Sequence, residues 1–257
     1  MKTRMSARWK AVLIVLLSLV FLPAPQAAAQ TPSGPVELEL VLAVDTSASV
    51  DPPEYALQMA GIADAFRDRD VIAAIEAYGG AGIAVCVVHW STDAALVVGW
   101  AHVRDRHDAL LLADEIERAP RAAIGVTTAI GSALSQARSL IANNGITARR
   151  AAVDVSGDGP NNSGFPLWRE RNRSVESGIT VNGLAILDDD PTLDAYYANH
   201  VIAGPDSFLV IASTFEDFAR AFRIKLLREI RVLVSDSGEE PAGETVAVRS
   251  EGMRSLN

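Results

Sequence analysis

The sequence predicts an α/β fold of three layers, with a mainly parallel central sheet, helices on both faces and one antiparallel edge strand. Two observations predict it. From Val36 onward, strongly apolar strand patterns alternate with amphipathic helical ones, and that alternation builds a parallel sheet covered on both sides. Two strand patterns are also joined by only Ser91-Thr92-Asp93. A link that short suits an antiparallel hairpin, because a parallel pair needs a crossover.

Val36–Val44 alternates at first and then turns wholly apolar, as an edge-to-core strand does. Asp51-Pro52-Pro53-Glu54 starts a helix, with Asp as N-cap, Pro in the first turn and Glu three residues after the cap. That helix runs to about Arg69, a further helical stretch covers Val71–Tyr78, and Gly79-Gly80 ends it. Ile83–Trp90 and Ala95–Trp100 are the hairpin strands. His107–Arg118 is helical, as is Ala129–Asn143, with Leu134, Ala137 and Ile141 on one face. Ala151–Val155 is a short strand followed by a Ser156-Gly157-Asp158-Gly159 turn. Ile179–Leu187 and Phe208–Ile211 complete the strands.

Ser213 and Glu216 form a capping box for the last helix. Phe215, Phe218, Phe222, Leu226, Ile230 and Leu233 give it an apolar stripe. Arg220, Arg223, Lys225, Arg228 and Arg231 make its other side basic. Such a helix either docks on the sheet or lies on a membrane surface.

The chain has 257 residues, a net charge of −9, one cysteine and 49% hydrophobic residues. That length buries a core without metals or disulfides to hold it. The acidic balance excludes nucleic-acid binding, which needs clustered Lys and Arg. One cysteine excludes an intramolecular disulfide and a cysteine-based zinc site. Lys2, Arg4, Arg8 and Lys10 precede the apolar run Ala11–Leu22, and Ala27-Ala28-Ala29 supplies small residues for cleavage. This is the pattern of an export signal. The run is about 12 residues, short of the roughly 20 that span a bilayer. The expected organisation is a signal peptide over 1–29, a short linker over 30–35, one domain over 36–234 and a polar tail over 235–257. The mature chain is then periplasmic or secreted.

Three segments carry chemistry, each where an element ends or begins. Val44-Asp45-Thr46-Ser47-Ala48-Ser49 follows the first strand, Gly125-Val126-Thr127-Thr128-Ala129-Ile130-Gly131 opens a helix, and Val155-Ser156-Gly157-Asp158-Gly159 follows a central strand. Carboxyl ends of parallel strands are where ligands sit in such sheets. The carboxylates and hydroxyls of these segments are hard oxygen donors. They suit Mg²⁺, Mn²⁺ or Ca²⁺ better than zinc or copper. The same oxygens also cap helices and turns in many proteins.

Asp45-x-Ser47-x-Ser49 with Thr128 and Asp158 resembles the metal-ion-dependent adhesion site of von Willebrand factor A domains. The resemblance covers roughly 36–233. It implies a von Willebrand A, Rossmann-like fold with Asp45, Ser47, Ser49, Thr128 and Asp158 holding a divalent cation. It also implies a protein partner that presents Asp or Glu to that metal, and adhesion or assembly rather than catalysis. Many such domains have two glycines before the second-loop threonine. Here Val126 and Thr127 stand there, so Thr127 is an alternative to Thr128. Asp154–Asn162, Gly178–Leu184 and the Lys225-Leu226-x-x-Glu229-Ile230 ending resemble an exported bacterial family of such domains with no assigned function.

Thr127, Asn161, Asn162, Phe165 and Trp168 are candidates for a partner-binding rim. Phe165 and Trp168 either contact a partner or, as the favoured expectation, pack on the following helix. Asp154 lies inside its strand and reads as a hydrogen-bonded structural acid. Cys86 reads as a buried hydrophobe and His89 as structural. Asp188-Asp189-Asp190 reads as a solvated loop. No nucleophile elbow, P-loop or dinucleotide fingerprint is present. A metal-assisted hydrolase would need a general base beyond the ligands themselves. A scaffold with a bracing cation is the other alternative.

Overall fold

The computed structural model describes residues 34–231. The expected export signal over 1–29, the start of the linker and the polar tail over 235–257 lie outside them. Six strands form one sheet: β1 (Val36–Asp45), β2 (Ile83–Trp90), β3 (Ala94–Val103), β4 (Ala148–Gly157), β5 (Ile179–Ile186) and β6 (Leu209–Ala212). Their order is β3-β2-β1-β4-β5-β6. All neighbours are parallel except β2 and β3, which form the expected antiparallel hairpin at one edge.

The helices are α1 (Pro52–Arg67), α2 (Arg69–Glu76), α3 (Arg106–Arg118), α4 (Ile130–Asn143), α5 (Leu167–Glu176), α6 (Leu193–Tyr196) and α7 (Phe218–Arg231). A π-helical turn, Tyr197–Val201, follows α6. Residues of α1, α2, α3 and α7 close one face of the sheet over Leu38, Leu40, Leu42 and Val44. Residues of α4, α5 and α6 close the other over Val41, Ala43, Val153 and Val155. The alternation of faces along β1 follows from the period of two in a strand. Asp51 caps α1 through the predicted box, accepting from the Glu54 N–H while Glu54 accepts from its own. Asp68 interrupts the long helical stretch and caps α2.

The structure corrects three local expectations. β4 runs through Ser156 and Gly157, which still pair with Leu184 and Ala185, so the turn begins only at Asp158. The Ser213–Glu216 capping box does not form. α7 starts at Phe218, and the Asp217 carboxylate accepts from the Ser213 N–H and from Arg220 instead. Lys225 does not belong to a solvated basic face: it is buried and ion-paired with Asp154. Phe215, Phe218, Phe222, Leu226 and Ile230 of the apolar stripe pack into the core on one face of the sheet, so α7 docks there. Among the described residues no helix is long and apolar enough to cross a membrane.

Candidate metal centre

β1 lies between β2 and β4, so strand order reverses there, and in such sheets the carboxyl ends at that point are where ligands bind. Asp45 ends β1 and is fully buried. Its Oδ1 accepts from the Ser47 N–H at 2.7 Å. Ser47 Oγ lies 3.1 Å from Ser49 Oγ, and Ser49 Oγ donates to Asp158 Oδ1 at 2.9 Å. Asp158 is the first residue after β4. Thr128 stands at the start of α4, its Oγ1 3.8 Å from the position a Cβ on Gly159 would take. The structure therefore joins Asp45, Ser47, Ser49 and Asp158 in one hydrogen-bonded group and places Thr128 beside Gly159, the next residue along.

Burial, first, and the nearby Asp158 charge, second, push the Asp45 carboxyl up to about 8, against partial relief from the Ser47 and Asp158 backbone N–H groups. Asp158 is also raised, mainly by burial, with Asp189 adding to it. Two carboxylates held this close repel without a cation between them. Asp45 Oδ2 is buried without any hydrogen-bond partner, although a buried anionic oxygen carries a large desolvation cost. The residues present thus fit a hard divalent cation: an orphaned carboxylate oxygen, a second acid and neutral hydroxyls. Among the described residues no three His, Cys, Asp or Glu side chains converge, so no carboxylate-rich or thiolate cage competes with this set.

A supporting layer holds these loops. Arg121 Nη2 lies 2.8–2.9 Å from the carbonyls of Thr46, Ser47 and Val50, so one guanidinium gathers the first loop. The β2–β3 hairpin holds the second: Ser91 Oγ donates to the Thr127 carbonyl, and Thr92 Oγ1 accepts from the Val126 and Thr127 N–H groups. Asn162 exchanges two hydrogen bonds with the Thr128 backbone, and Asn161 Oδ1 accepts from the Gly131 N–H. Tyr197 OH, buried and unpartnered, and Asp45 Oδ2 each lie 2.8 Å from where a Gly157 Cβ would stand. Only glycine leaves that wall open. None of Arg121, Thr92 or Tyr197 is visible as a site residue in the sequence. An arginine just upstream of the Gly125 loop carries no motif, and Tyr197 arrives from a different element.

The rim candidates divide. Thr127 Oγ1 is bonded to Thr92 Oγ1 and Ser163 Oγ. Asn161 Oδ1 and Asn162 Oδ1 latch the second loop, while Asn162 itself remains exposed. Phe165 and Trp168 are 54% and 65% exposed; neither packs on the following helix as favoured above, because Leu167 fills that interior position. Cys86 is buried in an apolar layer, and burial raises its thiol well above the usual range. His89 is buried, held near 4 by burial and the Arg121 charge, and its Nδ1 meets the Ala122 N–H. Asp190 caps its own loop by accepting from Thr192.

Gly131 shows how closely the loops pack. A Cβ there would stand 2.1 Å from the Phe165 carbonyl oxygen. That atom is backbone and can yield only if the 164–167 segment moves. Gly131→Ala is expected to cost about 1–3 kcal/mol, read as a lower urea midpoint.

Residues 35–234 match the family described as "Protein of unknown function (DUF1194)". No curated protein matches the chain. Solved structures show the fold. The von Willebrand factor domain of the type V pili tip protein Mfa5 from Porphyromonas gingivalis is 13% identical over 82% of this chain and 98% of its own, with TM-score 0.55. Proximal thread matrix protein 1 from the mussel byssus, in a form with a zinc-occupied MIDAS motif, is 16% identical over 76% of this chain and 46% of its own, TM-score 0.55. A von Willebrand factor type A protein from Catenulispora acidiphila is 18% identical over 76% and 43%, TM-score 0.52. This chain thus spans less than half the length of the mussel and Catenulispora chains. The likeness establishes a von Willebrand factor A fold.

Proposed function

We propose, on the premise that the chain belongs to the DUF1194 family and has the von Willebrand factor A fold, that it is a divalent-cation-dependent protein-binding domain of adhesion or assembly type. The observation that carries this is the buried, unpartnered Asp45 Oδ2 beside Asp158 and three hydroxyls. Asp45, Ser47, Ser49, Thr128 and Asp158 would hold Mg²⁺ or a similar ion. Thr128 is preferred to Thr127 because Thr127 Oγ1 is committed to Thr92 and Ser163. Only two carboxylates face the ion, so they neutralise a divalent cation without reversing its charge, and its remaining neutral hydroxyl and water ligands leave a position for an Asp or Glu of a protein partner. Asp45 and Asp158 provide the charge, the hydroxyls orient, and Arg121 holds the first loop in register. Among the described residues no His or Lys acts on the Asp45 or Asp158 carboxylates, which favours binding over turnover. The basic, apolar N-terminal segment supports export to the periplasm or medium.

The test is capture of partners from the extracellular or periplasmic fraction on immobilised chain. Species held by the wild type in Mg²⁺, released by EDTA and absent from Asp45→Ala are expected. Partners retained in EDTA would assign the cation a bracing role only.

Arg121 provides a second check. Hydrogen bonds from a charged donor contribute about 1.5–3 kcal/mol each, and the loop it gathers carries both serines. Arg121→Ala is expected to weaken Mg²⁺ affinity on the order of tenfold while the far-ultraviolet circular dichroism stays native. Calorimetric titration measures it. Unchanged affinity would remove Arg121 from the site.

A further inference from the structure

Three of the four most exposed large apolar side chains among the described residues are Val126, Trp168 and Phe165, at 67%, 65% and 54%. All three sit on segments that border the candidate metal centre. Val126 belongs to the second loop, which the Thr127–Ser163 hydroxyl contact ties to the segment leading into Phe165. Beyond Phe165 lies a cleft of about 220 Å³ lined by Leu167, Trp168, Arg171, Tyr196 and His200. Its Tyr196 hydroxyl accepts from the Asn161 N–H at 3.1 Å, so the cleft wall is joined to the loop that carries Asp158. Exposed apolar side chains grouped at a site mark a contact surface.

The cleft carries a charge opposite to that of the chain. Net charge is −9, yet Arg171 lines the cleft and, among the described residues, no acidic side chain does, while the Glu170 of α5 is buried and paired with Arg138 and Arg173. Arg171 is oriented by donating from Nη1 to the Asn199 carbonyl, while its Nε is buried. A guanidinium charge fixed in place beside an exposed indole suits a carboxylate and an apolar side chain together.

Resting on the metal-dependent reading above, we infer that the partner is an extended acidic peptide segment whose metal-seeking carboxylate is flanked by an aromatic or large aliphatic residue. That flanking side chain seats against Phe165 and Trp168, and a further acidic group meets Arg171.

The test uses a bead library of short peptides with one fixed Glu and randomised flanking positions, sorted on the full chain in saturating Mg²⁺. Peptides bearing Phe, Tyr, Trp or Leu beside the Glu are expected to be enriched at least tenfold. Trp168→Ala should abolish that enrichment while melting with the parent, since its side chain is largely in solvent, and Arg171→Gln should erase the preference for a second acid. Enrichment unchanged by Trp168→Ala, or none on the wild type, overturns the cleft assignment. Aromatic enrichment that survives both EDTA and Asp45→Ala supports the cleft and overturns the metal reading instead. Glu-dependent retention lost in EDTA but without flanking preference does the reverse.

Discussion

Titrating the metal-free chain with Mg²⁺ or Mn²⁺ raises its unfolding midpoint by roughly 5–10 °C. A ligand at 100 times its Kd adds about 2.7 kcal/mol, and in a domain of this size each kcal/mol moves Tm by about 2–4 °C. Asp45→Asn removes the shift. In EDTA at neutral pH and above the same variant melts above the wild type, because it deletes a buried carboxyl that must either take up a proton or hold a charge that Asp158 repels and that no donor satisfies at Oδ2. The pH dependence has a defined sign. A carboxyl whose folded pKa is raised favours the folded state only while protonated, so its contribution is full below about 4, the unfolded value. It is lost as pH rises through about 8. The metal-free chain should therefore lose stability between these limits, and Mg²⁺ should flatten the loss. A cation shift that persists in Asp45→Asn, or a wild type that is the more stable in EDTA, would remove Asp45 from the centre.

Lys225→Met is expected to destabilise the fold by about 3–5 kcal/mol, the usual cost of removing one partner from a buried ion pair. Lys225 is buried under the sheet against Asp154. Burial pushes Asp154 up to about 7, Glu229 adds to that, and Lys225 opposes it. Glu229 is itself held by Arg150 at 2.6 Å and by the Asn182 amide, whose Oδ1 accepts from the Phe208 N–H. Without Lys225, Asp154 must take a proton to stay buried, at about 1.4 kcal/mol per pH unit above its unfolded value. The penalty should therefore be smaller at pH 5 than at pH 8. Urea unfolding of Lys225→Met, Asp154→Asn and the double variant measures it. The double variant should cost less than the sum of the singles, by about 0.5–3 kcal/mol. Additive losses would mean that the two side chains do not act as a pair.

Much of the fold was legible because its signals are local. β2 reads as a strand from Ile83 to Trp90 because all eight residues are buried, and a doubly covered strand must be apolar throughout. The Asp51 box and the short hairpin link also act within a few residues. The readings that failed depend on distant atoms. Ser156 and Gly157 look like a turn, yet β5 offers them a partner. Lys225 has the spacing of an exposed face, yet Asp154 waits beneath it. α5 was expected only as a helix following Phe165 and Trp168, without bounds, because Arg169, Arg171 and Arg173 mask its small apolar side.

By itself the sequence determined the layered α/β architecture, the antiparallel edge and the three loops that carry oxygen donors at strand and helix ends. These follow from periodicity and from the chemistry of each residue type. Only the tertiary structure decided that Thr127 turns to Thr92 and Ser163, that the Asn161 and Asn162 side chains latch the second loop, and that Arg121 gathers the first. It also decided that Phe165 and Trp168 face solvent. The reason is physical: a hydroxyl, an amide or a guanidinium satisfies its hydrogen bonds wherever partners lie. Those partners come from elements far apart in the chain, which only the closed sheet brings within 3 Å or so of one another.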